Sequence, residues 1–253
     1  MPCTVNQAIK VADMVGLEDK NRILRKVFTY LSQVDFNTSS TPELIGEIFA
    51  LLKKEIGNGD PYKETRVHYN KMFLEQISDL EQEINGAENP FLEAIKYAII
   101  GNVIDFNPIH NLLLSDIEAS FLRLKGEQLE INQSNLLMQE ISNADTILYL
   151  GDNGGEICLD KILIKKIKEL KPSCQVFFGT RGEAVVNDSV EEDAYLVGID
   201  EYATVISNGD SSLGTVLYRT SKRFQEIYQN ADIVIANDIG VPEMKMICMK
   251  NGK

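Results

Sequence analysis

Thr146-Ile-Leu-Tyr-Leu-Gly-Asp-Asn-Gly-Gly-Glu-Ile-Cys-Leu-Asp160 decides how the rest of the chain is read. A short β-forming run ends at Gly151, two oxygen-bearing side chains follow, and after two more glycines a helical pattern begins at Glu156. That order predicts a strand-to-helix unit of an α/β protein. Asp152 and Asn153 then sit at the carboxyl end of a strand, where open sheets bind ligands. Gly154 and Gly155 let the backbone approach a ligand closely and open a helix whose first amides can hold an anion. An acid and an amide beside such a helix start point to a hard metal ion meeting a phosphate. An ordinary turn also favours Asp, Asn and Gly. The glycine spacing is not that of a dinucleotide-binding fingerprint.

Outward from this stretch, short β-type runs at Thr146–Leu150, Cys174–Phe178, Ala203–Ile206 and Ile233–Ala236 alternate with helical segments at about 156–170, 190–197 and 215–230. Alternation at that spacing predicts parallel α/β units. Residues 1–142 read as helices instead. Apolar positions recur at threes and fours in Ile9-Ala12-Val15, in Ile23-Leu24-Val27-Leu31 and in Leu44-Ile45-Ile48-Phe49-Leu52. Thr41-Pro42-Glu43 is a helix start with a capping hydroxyl and a first-turn proline. Asn58-Gly-Asp-Pro61 is a turn, followed by an acidic helix to about Gly86. A further helix from Phe91 to about Val103 carries the apolar stretch Tyr97-Ala-Ile-Ile100 and should be buried. The expected fold is α/β: a helical N-terminal lobe (1–142) and a C-terminal α/β lobe (143–253) whose mainly parallel sheet is flanked by helices. No internal repeat or low-complexity linker separates them.

With 253 residues, 44% of them apolar, the chain can bury a sizeable core. A net charge of −13 argues against a nucleic-acid partner, which demands a basic face. It leaves room for a small phosphorylated ligand, which needs one local positive pocket. No apolar stretch approaches the ~20 residues of a membrane span. The first residues lack the basic start and apolar region of a signal peptide, so a cytoplasmic location is expected. Cys3, Cys158, Cys174 and Cys248 show no metal-type spacing and read as thiols of a reducing compartment. His68 and His110 are the only histidines, which weakens any triad or His-rich metal site.

Three further clusters carry chemistry. Arg181-Gly-Glu-Ala-Val-Val-Asn-Asp188 follows the second β run, and Ser189-Val-Glu-Glu192 has capping-box spacing, which puts Asp188 just ahead of a helix. Consecutive parallel strands would deliver their carboxylates to one sheet edge. Asp152, Asn153 and Asp188 then form an all-oxygen set suited to Mg²⁺ or Mn²⁺, and such a site also admits Co²⁺ or Ni²⁺. Arg181 can fork onto a phosphate. Gly101-Asn-Val-Ile-Asp-Phe106 places Asn102 and Asp105 as substrate-binding candidates, a helix C-cap being the plainer alternative. Asn208-Gly-Asp-Ser-Ser-Leu-Gly214 is a polar loop expected at the site's edge.

Asp152-Asn-Gly-Gly-Glu156 resembles the metal-dependent damage-control phosphatases of archaeal and bacterial type, once catalogued only as a domain of unknown function. The likeness extends through Asn58-Gly-Asp-Pro-Tyr-Lys-Glu64, residues 101–106, 181–188 and 209–215. It implies a divalent-metal phosphatase acting on small phosphorylated metabolites such as sugar phosphates or damaged phosphate esters. It also implies metal ligands at Asp152, Asn153 and Asp188. In such phosphatases the strand matching Ala231–Ala236 runs into a Lys-Gly-x-Gly-Asn loop. Here Asn237-Asp-Ile-Gly-Val-Pro-Glu243 follows, resembling the family's extreme C-terminus. Either an internal segment is left out of this continuous numbering or the deletion is real. A real one would expose a sheet edge and remove a phosphate-binding cation.

The expected chemistry is phosphate monoester hydrolysis. A metal on Asp152, Asn153 and Asp188 would activate water. Arg181 and the amides after Gly154 would stabilise phosphoryl oxygens. Glu156 or Asp160, four apart on one helix face, would orient water or transfer a proton unless they are mere surface acids. The alternatives are a non-catalytic metabolite-binding protein and an S-adenosylmethionine-dependent carboxyl methyltransferase.

Overall fold

Strands β1 (Thr146–Leu150), β2 (Gln175–Thr180), β3 (Thr204–Ser207) and β4 (Ile233–Ala236) form one sheet, in the order β3-β2-β1-β4, with every pair parallel. The computed structural model describes residues 2–103, 119, 122 and 129–236. The expected junction after Ala236 therefore lies outside the described residues, as do Asp105, His110 and Cys248. Leu150 pairs with both Gly179 and Ala236, and Gly179 pairs with Ile206. All four strands thus end at one edge. Strand order reverses at β1, and open α/β sheets bind ligands in the crevice at such a reversal.

The described helices are α1 (Pro2–Met14), α2 (Lys20–Leu31), α3 (Thr41–Ile56), α4 (Lys63–Gly86), α5 (Pro90–Val103), α6 (Ser134–Asn143), α7 (Glu156–Leu170), α8 (Glu191–Val197) and α9 (Lys222–Asn230). None of them is long and apolar enough to cross a membrane. Side chains of β1 alternate between two cores. Ile147 and Tyr149 join Phe73, Ile95, Tyr97 and Ile162 on one face, while Leu148 and Leu150 join Ile206, Phe224 and Val234 on the other. Both faces of β1 are covered, as parallel sheets require, and this is why β1 and its neighbour β4 are almost wholly apolar. Full burial of each large aliphatic side chain contributes about 1.5–3 kcal/mol.

Helices α1–α3 build a separate core from Ala8, Val11, Ile23, Val27, Ile45, Phe49 and Leu52, and Val185 and Val186 reach into it from the loop after β2. Helices α4 and α5 instead share the sheet's main core.

Local departures from the sequence reading have physical causes. In α1 the buried face is Ala8-Val11-Ala12, whereas Ile9 and Val15 are each more than a third exposed. Small side chains there let the helix lie close to its neighbours. Ser40, not Thr41, caps α3: its hydroxyl accepts from Glu43 N, and Glu43 returns a bond to Ser40 N. The helix expected over 215–230 starts only at Lys222. Leu217–Arg219 forms a 3₁₀ turn, and Ser221 caps the new helix by accepting from Phe224 N at 3.2 Å. The second and third strands run to Thr180 and Ser207, one or two residues past their expected ends.

Gly46 of α3 lies against the 209–214 loop, and a Cβ there would meet Ser211 O at 2.5 Å and Ser212 Cα at 2.9 Å. Helix propensity alone would make Gly46→Ala stabilising by about 1 kcal/mol. Overpacking against backbone costs about 1–3 kcal/mol, so the net change in urea denaturation is expected to be a loss of stability.

Candidate active site

Gly151 N donates to Gly179 O at 3.0 Å, extending the pairing of β1 and β2 one residue past the strand. Asp152 and Arg181 emerge side by side from those two strand ends. Arg181 Nη2 donates to Asp152 Oδ1 at 3.2 Å, Nε to Asp188 Oδ2 at 2.6 Å and Nη1 to Thr215 Oγ1 at 3.1 Å. One guanidinium thereby joins both predicted ligand carboxylates and the loop after β3. Arg181 and Asp188 are each 2% exposed and Asp152 is 9% exposed, so these charges are paired within the protein.

The two carboxylate-bearing segments are also tied by backbone. Ser189 N donates to Asp152 O at 2.6 Å and Gly154 N to Asn187 O at 2.9 Å, while Asn153 bridges Asp188 in antiparallel fashion. Two residues before Asp188, Val186 has φ +47°, an outlier for a β-branched residue. Burial of Val185 and Val186 among α1–α3 holds that conformation.

Behind Asp152 lies a chain of buried acids. Asn153 Nδ2 donates to Asp152 Oδ2 (2.9 Å) and to Glu156 Oε2 (3.2 Å), and Asn102 Nδ2 donates to Glu156 Oε1 (3.3 Å). Asp160, one turn along α7, accepts from Tyr149 OH at 2.6 Å. Burial, reinforced by the Asp160 charge, raises the Glu156 pKa well above the usual carboxylate range, against the lowering effect of its two amide donors. Burial and the Asp160 charge likewise raise Tyr149. Glu156 and Asp160 are wholly buried, not surface acids.

The structure therefore brings Asp152, Asn153, Asp188, Arg181, Glu156 and Asn102 together. It alters three expectations. The Arg181 fork faces Asp152, Asp188 and Thr215, because the buried carboxylates demand a cation. Asn102 holds Glu156. The amides of Gly154 and Gly155, expected to hold an anion, donate to Asn187 O and to Asn70 Oδ1 (2.6 Å). What approaches Gly154 is the stem of Arg66, whose Cβ would lie 2.8 Å from an added methyl. The helix start after Val190 is capped by Asp193, which accepts from Val190 N, one residue beyond the expected Ser189–Glu192 box.

Sequence reading missed Arg66, Asn70, Asp193 and Tyr149. The signal for the first two is present: Arg66 and Asn70 are polar residues on the buried Tyr62-Arg66-Tyr69-Phe73 stripe of α4.

The donor set fits a hard divalent ion. Two carboxylates and an amide lie on adjoining segments, and the two carboxylates share the single charge of Arg181. The fit depends on the Asn153 amide, since no group of three His, Cys, Asp or Glu residues suited to a metal occurs among the described residues.

A sequence signature described as the damage-control phosphatase ARMT1-like domain matches residues 1–237. The chain belongs to that family. It is 31% identical over 242 residues to a protein of Pyrococcus horikoshii named damage-control phosphatase, covering 95% of this chain and 82% of that one. A damage-control phosphatase of Archaeoglobus fulgidus is 26% identical over 256 residues, covering 99% and 85%. The crystal structure of the Pyrococcus protein, titled a duf89 family protein, superposes with a TM-score of 0.80 at 30% identity, covering 93% of this chain and 81% of that one. Family membership agrees with the mixed α/β architecture with its parallel sheet and supports a phosphatase role in metabolite repair.

Tyr149→Phe keeps the ring stacked on Phe178, at 5.8 Å between centroids, but removes the donor to buried Asp160. The variant is expected to lose about 1–3 kcal/mol of stability, read from urea denaturation of the metal-free protein.

Proposed function

We propose that the chain hydrolyses monoesters of small phosphorylated metabolites, such as sugar phosphates or damaged phosphate esters, with a divalent cation (Mn²⁺ or Mg²⁺, Co²⁺ or Ni²⁺ also being admissible) held by Asp152, Asn153 and Asp188. The carrying observation is the Arg181 guanidinium joining Asp152 to Asp188 at the carboxyl edge of the sheet. When bound, the cation supplies Lewis-acid polarisation of the phosphoryl group and a more acidic water.

The chain's own residues do the rest. Arg181 fixes both carboxylates and offsets part of their charge, so the positive charge a phosphate dianion requires would come from the bound cation. Glu156, held on both oxygens by Asn102 and Asn153, has its protonated form favoured by burial and by the Asp160 charge, which suits it to hold a proton behind Asn153. Asp160 sustains that state through its charge and is itself anchored by Tyr149.

The test is p-nitrophenyl phosphate hydrolysis by chelator-treated protein, with each divalent ion added back in turn. Turnover should appear only with metal, and Asp152→Ala and Asp188→Ala should each lower it by more than about 100-fold, since loss of even a supporting residue typically costs 10–100-fold. Saturable sugar phosphate binding without turnover would replace this reading with a metabolite-binding protein. Metal-independent binding of S-adenosylmethionine would replace it with a transferase.

A further inference from the structure

We infer that Asn70 of α4 is a positioning residue that sets the two ligand-bearing segments against each other, through a buried polar chain no motif announces. Asn70 is fully buried. Its Oδ1 accepts from Gly155 N at 2.6 Å, directly after Asp152-Asn153-Gly154, and its Nδ2 donates to Asp193 Oδ1 at 3.4 Å. Asp193 lies five residues after Asp188 and closes the start of α8 by accepting from Val190 N at 3.0 Å. One amide therefore grips the Asp152–Asn153 turn with its oxygen and the Asp188 segment with its nitrogen.

The grip is anchored from below. Arg66, one turn earlier on α4, donates Nε to Asp193 Oδ2 at 2.7 Å and Nη1 and Nη2 to the two oxygens of Asp60 at 2.8 and 2.7 Å. Its stem fills the space left by Gly154. Arg66 is 1% exposed and Asp193 3%, so the pair cannot relax into water without opening the interface between α4, α7 and α8. The direction of Asn70 is fixed by this ion pair: its nitrogen must face the Asp193 carboxylate, which leaves its oxygen for Gly155. Outer partners of this kind orient ligands, and their loss typically costs 10–100-fold in metal affinity.

The inference rests on the assignment of Asp152, Asn153 and Asp188 as ligands, and one experiment separates the two. Mn²⁺ binding is measured by electron paramagnetic resonance on wild type, Asp188→Ala, Asn70→Ala and the exchange variant N70D/D193N, with the Tm of each metal-free protein alongside. The exchange keeps an acceptor for Gly155 N, a donor between positions 70 and 193, an amide oxygen at 193 for Arg66 Nε and Val190 N, and a carboxylate one turn from Arg66 to balance its charge. Asp188→Ala should abolish binding, Asn70→Ala should weaken it at least tenfold, and the exchange variant should return to within about threefold of wild type. Wild-type Mn²⁺ affinity in Asn70→Ala, even with a lowered Tm, overturns the inference and leaves the ligand assignment standing. Equal weakening in Asn70→Ala and the exchange variant also overturns it. Wild-type affinity in Asp188→Ala overturns the ligand assignment, and the inference falls with it. Should Asn70→Ala fail to fold, the exchange variant decides alone: affinity below a tenth of wild type overturns the inference.

Discussion

The in-register parallel pairing of β1 with β2 is the constraint on which the site depends. Leu150 lies opposite Gly179, and Asp152 and Arg181 each follow two residues later. Equal offsets from paired residues make them neighbours at the sheet edge. A slip of one residue would exchange the faces of every side chain on the strand, sending Tyr149 away from Asp160 and Leu148 into the wrong core. Both faces of β1 are buried, so that slip is prohibitive. The hydrophobic alternation that secures the core thereby also secures the distance between a carboxylate and a guanidinium.

Charge explains why that guanidinium matters. Asp152, Asp188, Glu156 and Asp160 are all at most 9% exposed, and burying a carboxylate without a partner is far costlier than any single packing contact. Arg181 compensates two of the four directly. Glu156 sits in the first turn of α7, where the helix dipole favours a negative charge by about 0.3–1 kcal/mol. Desolvation and Asp160 nevertheless raise its pKa, so burial outweighs the dipole. The acids divide into a pair held by Arg181 at the edge and, behind it, Glu156 and Asp160, which are bound by uncharged donors.

Much of this was legible beforehand because it is written in local patterns. Strand β1, helix α7 and the burial of Tyr97, Ala98 and Ile100 follow from periodicity within a few residues. Strand order brings the segments of Asp152 and Asp188 to one sheet edge. What was not legible depends on contacts between residues 85 to 127 positions apart. Nothing near Arg66 in sequence says that Asp193 will pair with it, 127 residues on. Gly154 and Gly155 look like an anion nest until α4 is known to press against them, at which point their amides are used within the protein. The late start of α9 was missed for a nearer reason: Ser221 is a capping residue inside what reads as continuous helix.

The helical part of the molecule is therefore more than a cover for the sheet. Helices α1–α3 accept Val185 and Val186 into their core, and Lys53 of α3 donates to Ala184 O at 3.1 Å. Val186 holds a left-handed backbone that costs about 1–3 kcal/mol. Burying two valines returns about 1.5–3 kcal/mol each, so packing wins and the strained turn persists. Asp188 follows that turn by two residues, so its direction is set by a core that contributes none of the assembled acids. Helix α4 performs the matching task for Asp152 through Asn70 and Gly155. Each of the two segments, that of Asp152 and that of Asp188, is held on one side by the sheet and on the other by helices, so its geometry depends on both being folded.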